Sequence, residues 1–155
     1  MYLIKKSSWY DKVYAYNIRC ANVFGYSPSM RKDTVVNSFM FNANFLNRIK
    51  LIGSGNQKRV FVSLANVVVE LSSLVNSTQV GSGTYNLVGH TLSIGELAEE
   101  VKKLYPELEM ITVNQHLTMR QVLVANSTEL RQYSAKSLSD ELQKFREKFT
   151  FHLNL

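Results

Sequence analysis

Few side chains in this 155-residue chain stand at spacings that do chemistry by themselves. His90, His116 and His152 lie far apart and have no cysteine partner, so no metal-ligand spacing forms and no metal is expected. No Ser-His-Asp or paired-carboxylate arrangement stands out. Cys20, the single cysteine, lies in an apolar stretch with no histidine or other base near it in sequence. It reads as a small core residue, not a reactive thiol. Trp9, Tyr10, Tyr14 and Tyr16 lie near lysines, a composition able to stack nucleic-acid bases but more simply read as packing around a buried strand. Charge is the stronger signal. The chain carries a net +6, and residues 1–60 hold ten Lys/Arg against Asp11 and Asp33 alone. Residues 61–155 hold eight Lys/Arg against ten acids. A basic half calls for an anionic partner. Nucleic acid and a nucleotide diphosphate both qualify, and the second needs only a few of these charges.

The elements that must position such charges follow from hydrophobic pattern. Val13 to Arg19 is largely apolar in both alternating sets, as in a strand buried on two faces of a parallel sheet. Asn22 to Arg31, broken by Gly25, Ser27 and Pro28, reads as a loop. Val35, Val36, Phe39, Met40, Ala43, Phe45 and Leu46 follow at mostly helical spacing, with Asp33 as a candidate cap. Arg48 to Ile52 is a short strand, Gly53-Ser54-Gly55-Asn56 a turn, and Arg59 to Leu64 another strand. Asn66 to Val75 is a helix with Val68, Leu71, Leu74 and Val75 inward. Thr84 to Val88 is a strand. Ser93-Ile94-Gly95-Glu96 is a capping-box pattern opening a helix that runs to Tyr105 and stops at Pro106. Glu109 to Asn114 and Gln121 to Val124 are strand-like. Ser137 caps a last helix with Leu138, Leu142, Phe145 and Phe149 on one face. Met1 to Lys12 is a short helix or tail. Alternating strands and helices imply an α/β fold.

Composition sets the outer limits. Hydrophobic content of 45% and charged content of 19% suit a globular domain with its own core. No 18-residue apolar run exists, so no transmembrane helix is expected. The N-terminus lacks a signal-peptide pattern. One cysteine fits a reducing cytoplasm. No internal repeat or domain boundary is visible.

Several motifs in order carry a resemblance. Ile18-Arg19 through Asn22-Val23-Phe24-Gly25 resembles a strand and an Asn-x-Tyr-Gly turn. Met30-Arg31 and Asp33 to Asn37 resemble a closing loop and helix. Ile49 to Gly55 with Gln57 and Arg59 resembles a strand, Gly-x-Gly and Gln-x-Arg-Asp-Phe segment. Tyr85 to Gly89 resembles Tyr-Asn-Val-Gly, and Leu92 to Glu100 a Ser-Ile-x-Glu-Leu-Ala helix. Together, over residues 13 to 150, they resemble the second half of the extended short-chain dehydrogenases/reductases, the NAD-dependent nucleotide-sugar epimerases and dehydratases. The family's Asp after the segment-ending Arg is Val60 here, and its Val-Asp-Asp-Val helix start appears as Leu64-Ala65-Asn66-Val67, with both acids gone. The family's glycine-rich NAD-binding turn is not here: glycines 25, 53, 55, 81, 83, 89 and 95 never reach Gly-x-x-Gly-x-x-Gly spacing.

The resemblance implies the C-terminal part of a Rossmann-like fold with its small α/β substrate-binding lobe. Residues 1–30 would be a remnant of the Rossmann sheet and 31–155 mostly that lobe, in one partial domain. It implies that Arg59 and Arg120 hold a nucleotide diphosphate, that Asn22 and Asn37 position sugar and phosphate, and that Arg31 anchors the closing loop. Tyr2 and Lys6 fit the family's Tyr-x-x-x-Lys pair, in which the ammonium favours a phenolate base. Arg19, however, follows Lys6 more closely than the family allows. NAD is the cofactor of the full-length family, and none is expected to bind this chain alone. The expected partners are a nucleotide diphosphate sugar and either a separate NAD-binding half or further copies of the chain. Nucleic acid and membrane are not expected. The alternative is a non-enzymatic, degenerate binding module for an anionic nucleotide or nucleic acid.

Overall fold

The computed structural model describes residues 14–76, 80–132 and 138–149. Its elements run β1 (Tyr16–Cys20), β2 (Asn22–Phe24), α1 (Val35–Leu46), β3 (Arg48–Ile52), β4 (Lys58–Ser63), α2 (Leu64–Val75), β5 (Gly83–Leu87), β6 (His90–Ser93), α3 (Ile94–Leu104), β7 (Glu109–Val113) and α4 (Leu138–Glu147). This is an α/β chain in which β1 pairs with β5, β2 with β4, and β3 with β7, all parallel. β6 adds antiparallel to the other side of β4, Lys58 facing Ser93. Parallel pairing follows from the helices that return the chain between partner strands.

β4 divides two cores. Side chains alternate across a strand, so Phe61 faces one core and Val62 the other, both fully buried. The Phe61 core gathers α1 (Val36, Phe39, Met40), β3 (Ile49, Leu51), α3 (Leu97, Val101) and α4 (Leu142, Phe145). The Val62 core gathers α2 (Val67, Leu74), Leu87 and Leu130, with Tyr16 and Ile18 of β1 packed against it. β3 shows the alternation most plainly: Ile49 and Leu51 are buried, while Arg48, Lys50 and Ile52 face outward.

Local chemistry sets the joints. Ser93 and Glu96 close the expected capping box on α3: Ser93 Oγ accepts from Glu96 N at 3.1 Å and Glu96 Oε2 from Ser93 N at 2.6 Å. Gly53 and Gly55 take φ of 78° and 77° in the turn between β3 and β4. A Cβ at Gly53 would lie 2.8 Å from the Leu117 carbonyl oxygen, so this position needs glycine twice over.

Several expectations are corrected. Asn22 to Phe24 is a strand, because β4 offers a parallel edge that local turn residues cannot reveal. His90–Ser93, with no assigned element in the sequence, forms β6. Gln121 to Val124 is irregular, with Val122 N donating to the Lys58 carbonyl. Thr34, not Asp33, is the N-cap of α1, and its side chain makes no capping bond. Asp33 is engaged by Arg31 instead. Phe45 and Leu46 end α1 exposed. β1 is only half-buried, and Cys20 at its end is exposed. Partial burial still pushes the Cys20 thiol up. α2 turns a different face inward from the one expected. It buries Asn66, Val67, Glu70 and Leu74 and leaves Val68, Leu71 and Val75 at 54%, 44% and 83% exposure. Apolar residues lie all round its first two turns, so hydrophobicity alone does not single out a face, and on the buried one Asn66 Nδ2 donates to Glu141 at 2.8 Å. Met1 to Lys12, Trp9, Tyr10 and the Ser137 cap lie outside the described residues.

Candidate functional site

A cleft of about 390 Å³ opens where β2, β3, β4 and the start of α1 converge. Asn22 enters from β2, Lys50 and Ile52 from the outward face of β3, and Arg59 from β4 with Gln57 just before it. Asp33 and Ser38 close the side nearest α1, and Met119 the far side. The outward set of β3 follows from strand alternation, which hands Ile49 and Leu51 to the core and Lys50 and Ile52 to the cleft.

Each polar group is held in place. Asn22 Nδ2 donates to the Val60 carbonyl at 3.0 Å, fixing the amide across the β2–β4 pair. Arg59 Nη1 donates to the carbonyls of Lys58, at 3.2 Å, and of Arg120. The segment carrying Arg120 is thereby tied to Arg59, while the Arg120 side chain stays exposed and does not line the cleft. Arg31 clamps Asp33 in a bidentate pair, Nε to Oδ1 at 3.0 Å and Nη2 to Oδ2 at 2.6 Å. The hydrogen bond from Arg31 holds the Asp33 carboxyl below the usual carboxylate range, and the same bond raises the Arg31 guanidinium. With Asp33 matched by Arg31, Lys50 and Arg59 leave the cleft net positive. Arg59 and Lys50 together suit a phosphate-bearing anion.

Asn37 has another position. It is 4% exposed inside α1, its Oδ1 accepting from Gly25 N at 3.1 Å and its Nδ2 donating to the Arg31 carbonyl at 2.9 Å. Both ends of its amide are spent tying the Gly25 and Arg31 loop to the helix. Asn22 and Arg59 therefore share the cleft; Arg31 reaches its rim through Asp33, Arg120 through its backbone, and Asn37 lies behind it. Tyr2 and Lys6 fall outside the described residues. Lys50 was missed in the sequence, though the alternation of β3 carried the signal. A second hollow of about 360 Å³, lined by Arg19, Cys20, Asn86 and Val88, meets the first at Asn22.

Away from the cleft, four polar residues form a knot. Glu141 of α4 accepts from Ser63 Oγ at 2.9 Å and Asn66 Nδ2 at 2.8 Å, and its Oε2 lies 2.8 Å from His90 Nε2. The His90 and Glu141 side chains are 12% and 9% exposed, so His90 points inward from β6. Burial pushes the Glu141 carboxyl up, but the hydrogen bonds from His90, Ser63 and Asn66, with the His90 charge, outweigh it and hold the group below its ordinary value. The histidine meets glutamate, and the serine meets glutamate. No contact joins serine to histidine, so this is a brace between α4, β4, α2 and β6, not a nucleophile with its base. No group of His, Cys, Asp and Glu able to hold a metal occurs among the described residues.

No protein-family model matches the sequence. Solved structures do match the fold. An NAD-dependent NDP-hexosamine 5,6-dehydratase, TunA, of tunicamycin biosynthesis superposes with a TM-score of 0.67 at 22% identity, over 84% of this chain and 44% of that one. A UDP-N-acetylglucosamine 4-epimerase from Methanobrevibacter ruminantium M1, in complex with UDP-N-acetylmuramic acid, gives 0.68 at 19% identity, over 92% and 48%. A UDP-glucuronic acid 4-epimerase from Bacillus cereus, in complex with UDP-glucuronic acid and NAD, gives 0.68 at 20% identity, over 84% and 43%. This chain thus spans less than half the length of each. Its α/β fold is the one found in part of each of these Rossmann-like structures.

Proposed function

We propose that this chain is the nucleotide-sugar-binding portion of an NAD-dependent sugar epimerase or dehydratase. The carrying observation is the cleft that brings Arg59, Lys50 and Asn22 together on a fold shared with such enzymes. Arg59 would take the diphosphate through charge-assisted hydrogen bonds, Asn22 would orient phosphate or sugar with its amide, and Lys50 would add a point charge. Arg120, Arg31 and Asn37 would act through the segments they tie: the Arg120 carbonyl braces Arg59, and Asn37 holds the loop whose Arg31 neutralises Asp33.

NAD would supply hydride acceptance and return in the complete enzyme. The described residues do not fit it. The strand-to-helix joints β4–α2 and β6–α3 are closed by Ser63 and Ser93 caps, with the Glu96 carboxylate seated in the first turn of α3. A carboxylate there repels a pyrophosphate. The Gly53–Gly55 turn joins two strands and opens no helix. No step through NAD is assigned to these residues. In this reading residues 1–30 are a remnant of the Rossmann sheet and 31–155 mostly the substrate lobe, with α2 and β5 the later elements that pack with β1. In the complete enzyme a separate lobe would carry NAD.

Titration calorimetry with nucleotide sugars tests this reading. Micromolar binding that falls on Arg59→Ala supports it; equal, salt-quenched binding of any polyanion supports instead the anion-binding module to which the basic first half points. The chain alone is expected to turn over nothing, and reduction of NAD by purified chain with a nucleotide sugar would count against that.

A further inference from the structure

A larger hollow, of about 470 Å³, lies between the start of α2 and α4 and shares no lining residue with the cleft. Its volume is in the range of small-molecule sites. Buried Phe24 and Phe145 and half-buried Leu64 give it an apolar wall, and exposed Tyr26, Ala65 and Val68 stand at its mouth. Two lysines complete the lining: Lys144 of α4, and Lys148 in the turn that follows it. Both are exposed, and neither ammonium is in an ion pair among the described residues. A single exposed lysine is an ordinary solvated charge. Two of them four positions apart repel each other, and an anion seated between them removes that cost.

The remaining polar group in the wall, the Glu141 carboxylate, sets the direction of binding. Ser63, Asn66 and His90 already engage its oxygens, so it calls for no cation from a ligand. A second anion beside it would be repelled. An acid group is therefore held at Lys144 and Lys148, while an apolar body gains by leaving water for Phe24 and Phe145. We propose that this pocket binds an amphipathic carboxylate of the fatty-acid kind, its hydrocarbon chain against Phe24, Phe145 and Val68 and its head on Lys144 and Lys148. The site is independent of the nucleotide cleft, and its ligand is told from a nucleotide by the apolar body that the Arg59 cleft has no comparable wall to receive.

The test is calorimetry on the 155-residue protein at low ionic strength with octanoate, octan-1-ol, octylamine and acetate. Octanoate is expected to bind at least about tenfold more tightly than octylamine, which has the same chain and the wrong charge, and than acetate, which has the charge without the chain. Lys144→Gln with Lys148→Gln should cost octanoate about tenfold and leave octan-1-ol within about twofold, because only the head contact is removed. Ala65→Trp places a large ring at the mouth from an exposed position and should abolish binding of both. All three substituted residues are exposed, so the variants are expected to fold, and urea unfolding checks this. Equal binding of the three octyl compounds, octanoate binding that survives undiminished in either folded variant, or no octanoate binding at all overturns the proposal.

Discussion

At the scale of single residues, Arg59 and Glu141 show two uses of charge. Arg59 spends one nitrogen on backbone carbonyls and lines the cleft. Each charge-assisted bond it makes to a phosphate is worth roughly 1.5–3 kcal/mol, so Arg59→Ala should weaken nucleotide binding by about ten- to a hundredfold in calorimetry. Arg59→Lys should recover only part of this, since an ammonium cannot bond bidentately. Glu141 works on stability instead. Its folded-state carboxyl is held below its ordinary value, so it contributes fully above the unfolded glutamate range and that contribution is lost as pH falls through its folded value. Urea unfolding across acidic pH should show a steeper loss of stability for the native protein than for Glu141→Gln. Parallel curves would rule the brace out as the source. Arg59 was legible from its motif. The brace was not, because Ser63, Asn66, His90 and Glu141 are scattered through the sequence and only folding joins them.

At the scale of elements, the α3 start and the β3–β4 turn are where the sequence spoke most clearly. Both depend on bonds or dihedrals within a few residues, which local types dictate. Ser93→Ala removes the cap and should cost about 1 kcal/mol in denaturant unfolding. Gly53→Ala meets both a φ of 78° and the Leu117 carbonyl at 2.8 Å, and should cost more than about 1 kcal/mol. Because Met119 also crowds Gly53 and lines the cleft, the same substitution should reduce nucleotide affinity. α2 shows the opposite case. Its sequence, LANVVVELSSLV, supports more than one inward face, and the face it buries carries Asn66, which bonds Glu141 75 residues away.

At the scale of the whole molecule, that choice leaves Val68, Leu71 and Val75 on the surface, while β1 has β5 as its one strand neighbour among the described residues. Two parallel strands are fewer than a sheet usually needs, and parallel sheets are ordinarily covered. The chain should therefore self-associate as concentration rises, seen as increasing mass in light scattering. Val68→Ser with Val75→Ser should reduce that association while changing unfolding stability by only about 0.5 kcal/mol, because neither side chain is buried. A clean monomer at high concentration would contradict this. By itself the sequence determined the α/β class, the capping box of α3, the Gly53–Gly55 turn, the basic character of the first sixty residues and the motifs around Asn22 and Arg59, all of which rest on contacts between near neighbours or on composition. Only the tertiary structure decided that Asn22 to Phe24 would be a strand, that α2 would turn Val68 and Val75 outward, and that His90 would be buried against Glu141. Each of those outcomes depends on a partner far along the chain, and a local pattern carries no information about which distant group will arrive to satisfy it.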